Sequence, residues 1–94
     1  MTAENRTSVK VVLTGPLAIL AGCGSADIEL AAPALVTDLT EALVSILGPQ
    51  AEQLLFDAKG DMSLTVLVNG RHAEMETPIL EGDVVAYVLP LSGG

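Results

Sequence analysis

Apolar and β-branched residues form short runs that predict strands at both ends of the chain. Val9–Thr14 is rich in β-branched residues, Val84–Leu89 is apolar at every position, and neither contains a breaker, which is typical of strands in the interior of a sheet. Ala26–Leu30 alternates apolar and acidic residues, the period of a half-buried strand. We expect Val9–Thr14 and Ala26–Leu30 to form a hairpin across the long intervening segment, in which Leu17–Ser25 is predicted to be a loop or short turn.

A second hairpin is indicated in the C-terminal half of the chain. Leu64–Val68 and Arg71–Met75 flank the dipeptide Asn69-Gly70, and this dipeptide favours the two-residue turns that require positive φ at both positions. Pro78–Asp83 then predicts a turn that leads into the last strand. The predicted strands after residue 60 are therefore all connected by short turns.

The middle of the chain has the period of a helix rather than that of a strand. Apolar residues recur at spacings of three and four and mark one face of a helix: Val36, Leu39, Leu43, Ile46 and Leu47. Gly48-Pro49 ends this helix, and Gln50–Phe56 adds a short helical turn. One main helix packed on one face of a mixed sheet would bury these apolar faces in two layers, which predicts an α+β domain.

Length and charge limit the function classes. The 94 residues predict one domain, over residues 9–90, with a flexible N-terminus at 1–8 and a flexible tail at 91–94. The net charge of −8 argues against nucleic acid and anionic membranes as partners. The single cysteine excludes an internal disulfide. We expect a cytoplasmic protein whose partners are proteins.

Candidate catalytic groups are few. Cys23 has no histidine or second cysteine near it in sequence, His72 is the only histidine, and no nucleophile motif is present. The acidic run from Glu74 to Asp83 is interpreted as a solvated face rather than a metal site. We therefore expect no catalytic residue, no metal and no bound cofactor. An alternative interprets Leu20-Ala21-Gly22-Cys23 as a lipoprotein cleavage box, although Gly15-Pro16 interrupts the supposed leader.

The C-terminal residues offer the best reactive group. Gly93-Gly94 follows the last predicted strand and Pro90. Glycine has no Cβ, so this tail could lie extended in a narrow channel of another protein with its carboxylate uncrowded.

Three segments carry a resemblance to a known family: Val66–Arg71, Pro78–Ala86 and Pro90–Gly94. The Gly82-Asp83 turn and the Pro90–Gly94 end together are the most specific part of it. On these segments the chain resembles the small sulfur carriers, a family that includes the small subunit of molybdopterin synthase and the thiamine-pathway sulfur carrier. The resemblance covers most of the chain from Val9 onward and is specific in about the last thirty residues. It implies a β-grasp, or ubiquitin-like, fold. It implies that Gly94 is adenylated and then thiocarboxylated, and that Leu91, Ser92 and Gly93 thread into the activating enzyme.

The implied partners are a ubiquitin-activating-type adenylyltransferase, which uses ATP, and a sulfur-acceptor enzyme or synthase large subunit. The carrier itself would be a co-substrate and not an enzyme. The chain departs from the molybdopterin branch at Leu89, where a second proline is usual, and at Ala18-Ile19-Leu20. Leu17, Ile19 and Leu20 are predicted to contact a partner. Two alternatives stay open: a binding module whose tail is never activated, and a modifier conjugated to proteins through Gly94.

Overall fold

The computed structural model describes residues 5–89. It contains seven strands and three helices in one chain order: β1 Arg6–Leu13, α1 Gly15–Ala21, β2 Ser25–Ala31, β3 Ala34–Leu35, α2 Val36–Leu47, α3 Pro49–Leu55, β4 Thr65–Val68, β5 Arg71–Ala73, β6 Pro78–Ile79 and β7 Val84–Val88. The predicted α+β class and β-grasp arrangement are confirmed, with α2 as the main helix.

Five strands form one mixed sheet in the order β2-β1-β7-β4-β5. Strands β1 and β7 are parallel, with Val11 opposite Val85 and Leu13 opposite Tyr87, and the other neighbours are antiparallel. The predicted position of the first and last strands in the sheet interior is therefore confirmed, and the two strands pair with each other. Strands β3 and β6 pair as a separate two-stranded sheet.

The core lies between the main sheet and the helices. Alternate residues of β1 and β7 point into it, which places Val11, Val85 and Tyr87 against Leu39 and Leu43 of α2. Glycine has a required role where α1 ends, because Gly22 takes φ 76° and its N–H caps the carbonyl groups of the last turn.

The prediction of a loop over Leu17–Ser25 was wrong for its first half. Helix α1 begins at Gly15, with Pro16 in the first turn, where a missing N–H costs nothing. The dipeptide that ends β1 therefore also starts a helix. Leu17 is only 1% exposed and packs in the core, which fixes this short helix by tertiary contact rather than by intrinsic propensity.

Two other boundaries differ from the sequence prediction. Strand β1 begins at Arg6 and buries Thr7, so residues 6–8 are not a flexible N-terminus. Pro78–Ile79 is a strand rather than part of a turn, because it pairs with Ala34–Leu35. The turn itself is confined to the residues that follow, where the N–H of Asp83 donates to the carbonyl of Leu80.

Candidate functional site

Strand β7 is the element that carries the chain towards the C-terminal tail. It lies in the middle of the sheet, with β1 on one side and β4 on the other. Both neighbours pair with it over four residues. A segment held by two ladders opens only with the sheet as a whole. The tail is therefore attached to one of the most firmly held strands of the described chain.

Tyr87 anchors the end of this strand. Its ring is fully buried, and its hydroxyl lies 2.7 Å from the Thr40 Oγ1 on α2. Thr40 Oγ1 also donates to the carbonyl of Val36, and the Thr14 hydroxyl donates to the carbonyl of Tyr87 at 3.1 Å. Burial raises the pKa of Tyr87 to about 12, against the opposing effect of the hydrogen bond to Thr40. The phenol is neutral at physiological pH and serves as a fixed link between helix and strand.

The start of β7 is held by a side-chain clamp. The amide nitrogen of Asn69 donates to Asp83 Oδ1 and its amide oxygen accepts from the N–H of Val84, both at 2.9 Å. Asp83 Oδ2 accepts from the N–H of Leu80. Asn69 has φ 53°, as the hairpin turn requires. The Asn69-Gly70 turn and the Gly82-Asp83 turn thus form one hydrogen-bonded unit.

The far end of β7 lies against helix α1. Leu89, the last described residue, is 57% exposed, and its Cδ1 is 3.7 Å from the position that a Cβ on Gly15 would occupy. A small cleft of about 60 Å³ at this place is lined by residues of four separate segments: Thr14, Pro16, Leu17, Leu54, Leu64 and Leu89. The last described residue therefore lies beside an apolar cleft and not beside a cluster of charges.

The side of the main sheet that faces away from the helices also carries apolar residues. Val12, Ala86 and Leu67 lie opposite one another on three neighbouring strands. We call this surface the open face; its apolar residues are Val12, Leu67, Val84, Ala86 and Val88. None of them belongs to the core cluster or packs against it among residues 5–89. Lys10 and His72 lie on the same side, opposite Val84 and Leu67 respectively.

The structure separates the residues predicted to contact a partner. Leu17 is buried in the core, so its side chain is not available to a partner. Ile19 is 83% exposed and Leu20 is half-buried on the same helix. Contact through Ile19 and Leu20 stays a prediction. Leu91, Ser92, Gly93 and Gly94 lie outside the described residues.

The other polar candidates do not assemble into a reaction centre. Cys23 is exposed after α1, and His72 pairs only with Glu74, at 3.8 Å. No group of three or more histidine, cysteine or acidic side chains is placed to hold a metal ion in the part of the chain that the structure describes. No helix within that part is both long and apolar enough to cross a membrane.

A family model described as the ThiS family matches residues 11–94. The chain belongs to the ThiS family. The match covers the hairpin, the central strand and the diglycine end, which are the segments that carried the resemblance to sulfur carriers. No curated protein sequence is significantly similar to the chain.

Solved structures agree with the membership of the ThiS family. SAMP1 from Haloferax volcanii is 31% identical, with a TM-score of 0.78, over 93% of this chain and 99% of that one. A Pyrococcus furiosus protein assigned as molybdopterin converting factor subunit 1 is 28% identical, with a TM-score of 0.77, over 90% and 99%. Urm1 from Trypanosoma brucei is 25% identical, with a TM-score of 0.70, over 98% and 100%. The fold of this ThiS-family chain is that of ubiquitin-like sulfur carriers and modifiers.

Sequence reasoning missed the open face and the buried link between Tyr87 and Thr40. The apolar residues at both parities of β7 were interpreted as burial on two faces, yet Val84 is 38% exposed. The sequence did contain a signal for the open face. Strand β7 is apolar on both faces, and the chain has too few helices to cover both faces of the sheet. The partner of Tyr87 lies 47 residues away, and no local pattern indicates it.

Proposed function

We propose that this ThiS-family protein is a sulfur carrier and that its reactive group is the α-carboxylate of Gly94. In the first step a carboxylate oxygen attacks the α-phosphorus of ATP, and pyrophosphate leaves. A persulfide sulfur then attacks the acyl adenylate and displaces AMP, and a second thiol supplies the electrons that release the thiocarboxylate. The sulfur goes to an intermediate of cofactor or metabolite biosynthesis, with molybdopterin synthesis as one candidate.

The observation that carries this proposal is the family match through residue 94, which includes both tail glycines. The geometry supports it, because β7 gives the tail a rigid base at the centre of the sheet. In this proposal the protein is a co-substrate and not itself an enzyme, and it binds no cofactor of its own. A ubiquitin-activating-type adenylyltransferase uses the ATP, and the reaction takes place in the cytoplasm.

We further propose that the activating enzyme docks on the open face. Its central row of Val12, Ala86 and Leu67 continues through Val88 towards the end of β7. An apolar patch at the root of the tail gives the partner a buried anchor close to the channel that receives Leu91 to Gly94. Acids near the start of β7, including Glu81 and Asp83, would steer a basic partner, so association should slow as salt rises.

A tail deletion tests the reactive group. Removing Gly93 and Gly94 should abolish ATP–pyrophosphate exchange by the adenylyltransferase, because the site reacts only with a carboxylate that reaches it in line. Stability of the carrier should change by less than about 0.5 kcal/mol. One extra alanine after Gly94, or Gly93→Val, should also block exchange by adding bulk or stiffness. Exchange that survives the deletion, or loss of folding, would contradict the proposal.

A second candidate is a protein modifier conjugated through Gly94. The similarity to SAMP1 from Haloferax volcanii, a small archaeal modifier protein, favours it. Intact mass after isolation from native cells distinguishes the two fates. A sulfur carrier gains one sulfur in place of one oxygen, whereas a modifier is recovered joined to lysines of other proteins. An unmodified end in all fractions would instead favour a binding module whose tail is not activated.

A further inference from the structure

A second concave surface lies on the helical side of the molecule, across the core from the open face. It is a groove of about 290 Å³ between α2, α3 and the segment after β5. We call it the helical groove, and its lining residues come from all three regions: Thr37, Thr40, Glu41, Val44, Glu52, Phe56 and Met75. The proposed carrier chemistry uses none of them as a reactive or docking group.

Two carboxylates border the helical groove, and neither is neutralised by a neighbour. Glu41 and Glu52 are exposed, and neither has an ion pair or a side-chain hydrogen bond to any residue between 5 and 89. Residues 11–58 contain no lysine, arginine or histidine, and the next cation along the chain is Lys59, three residues after Phe56. Among residues 5–89, Lys59 forms no ion pair with either carboxylate. The helical groove therefore keeps two acids that no ion pair within the described residues neutralises.

The wall between these carboxylates is apolar and includes the only phenylalanine of the chain. Phe56 and Met75 are half-buried and pack against the core, as does Val44. Phe56 also borders an adjoining hollow of about 580 Å³, in which Asp57 is a further acid. An aromatic ring beside carboxylates attracts an organic cation by its quadrupole as well as by charge. An apolar wall suits the aliphatic stem that carries such a cation.

We propose that the helical groove binds an arginine side chain presented by a partner protein. The stem would lie on Val44, Phe56 and Met75, and the guanidinium would reach Glu41 and Glu52. Arginine fits better than lysine because its planar group forms paired hydrogen bonds with carboxylates and stacks on aromatic rings. The proposal does not depend on activation of Gly94, and it gives the protein a second partner surface that stays available while the open face is occupied.

The probe is an acetylated, amidated Leu-Arg-Leu peptide, titrated into the full chain and followed by amide chemical shifts. We expect the largest chemical-shift changes at the amides of Val44, Phe56 and Met75, and we expect these changes to reach a plateau as peptide is added. The same peptide with citrulline in place of arginine has almost the same shape without the charge, and it should not bind. Raising the salt from about 0.05 M to about 0.3 M should weaken binding of the arginine peptide, because the carboxylates are exposed.

Matched variants separate this site from the general negative charge. Glu41→Gln and Glu52→Gln should each weaken binding by about two- to fivefold, and Phe56→Leu by a similar factor through loss of the aromatic face. Asp27→Asn removes one charge from an exposed residue of β2 outside the helical groove, and it should leave affinity unchanged. Thermal melting checks that all four variants fold.

Four outcomes would overturn the proposal. If Asp27→Asn weakens peptide binding as much as Glu41→Gln and Glu52→Gln do, the peptide is attracted by the net charge of the protein and not by the helical groove. Chemical-shift changes on the open face, rather than in the helical groove, would show that the peptide binds on the other side of the molecule. Absence of saturable binding, or equal binding of the citrulline peptide, would remove arginine as the ligand. None of these outcomes bears on the tail chemistry, which the exchange assay tests separately.

Discussion

The two sides of the main sheet present different chemistry to the surroundings. The open face has an apolar row with charges of both signs on the same side, namely Lys10 and His72 together with Asp27 and Glu29 of β2. The helical side has a groove bordered by Glu41 and Glu52, and its helices contain acids but no base. Strand β7 contributes side chains to both faces, since Ala86 points to the open face and Tyr87 points to the helices.

This difference shows how a small domain can keep two partners apart. Residues that alternate along one strand point to opposite faces, so a substitution on one side leaves the other side's side chains in place. The apolar patch continues towards the end of β7, which suits the proposed docking of the activating enzyme. The acidic groove lies across the core and suits a basic side chain. The four predictions that follow test whether the two sides are independent, beginning with the largest effect.

The buried core is shared by the open face and the helical groove, so a substitution there should affect both surfaces by destabilising the whole domain. Leu39 is fully buried on α2, in the cluster that joins the helices to the sheet. Leu39→Ala should lower the free energy of unfolding by about 2–5 kcal/mol, because it removes buried methyl groups and leaves a cavity. Urea unfolding measures this change. A loss below about 1 kcal/mol would show that the core collapses around the gap, contrary to the close packing described.

The side-chain hydrogen bonds of Asn69 at the start of β7 should contribute to the stability of the sheet. Asn69→Ala removes two side-chain hydrogen bonds and leaves an alanine at φ 53°. We expect a loss of about 1–3 kcal/mol in the free energy of unfolding. Asn69→Gly is the matched control, since it removes the same bonds but accepts positive φ without strain. If both variants lose equal stability, the backbone conformation contributes nothing to the clamp.

Docking of the activating enzyme should respond to the open face and not to the helical side. Leu67→Ala shortens an apolar side chain in the central row, and we expect at least about a tenfold fall in kcat/KM for adenylation, the size typical of an interface anchor. Ile46→Ala is the control, because Ile46 is an exposed apolar residue on α2. It should change kcat/KM by less than about twofold. Equal losses in both variants would contradict docking on the open face.

Local signals in the sequence were sufficient for much of the sheet and for the main helix. Val9–Thr14 and Val84–Leu89 are rich in β-branched residues and contain no breaker, and Asn69-Gly70 favours a tight hairpin turn, so each element could be recognised from adjacent residues. Helix α2 matches the range marked by its apolar period. In these segments local propensity and the final packing agree, which makes prediction from sequence reliable.

The remaining features depend on contacts between distant residues. Strands β3 and β6 have two residues each and exist only because Ala34 meets Ile79. Helix α1 is seven residues long, too short to be stable alone, and it forms because Leu17 fills the core. The helical groove joins residues 37–56 to Met75. No window of adjacent residues contains these associations.

The smallest effect concerns Tyr87, the β7 residue that faces the helices, and it appears only in alkaline solution. Its pKa is raised to about 12 in the folded protein by burial, whereas an unfolded tyrosine ionises near pH 10. The stabilising contribution of the neutral phenol is therefore complete below about pH 10 and is lost as the pH rises through about 12. At about pH 11 the free energy of unfolding should have fallen by about 1.4 kcal/mol relative to neutral pH from this residue alone.

Tyr87→Phe is the control, because it removes the ionisable hydroxyl. The difference between the two proteins in urea unfolding therefore separates the effect of Tyr87 from the ionisation of the lysines. Because Tyr87 is the only tyrosine, its ultraviolet absorbance reports its ionisation directly. Ionisation near pH 10 in the folded protein, or an equally steep loss of stability in the phenylalanine variant, would show that Tyr87 is not sealed between β7 and α2.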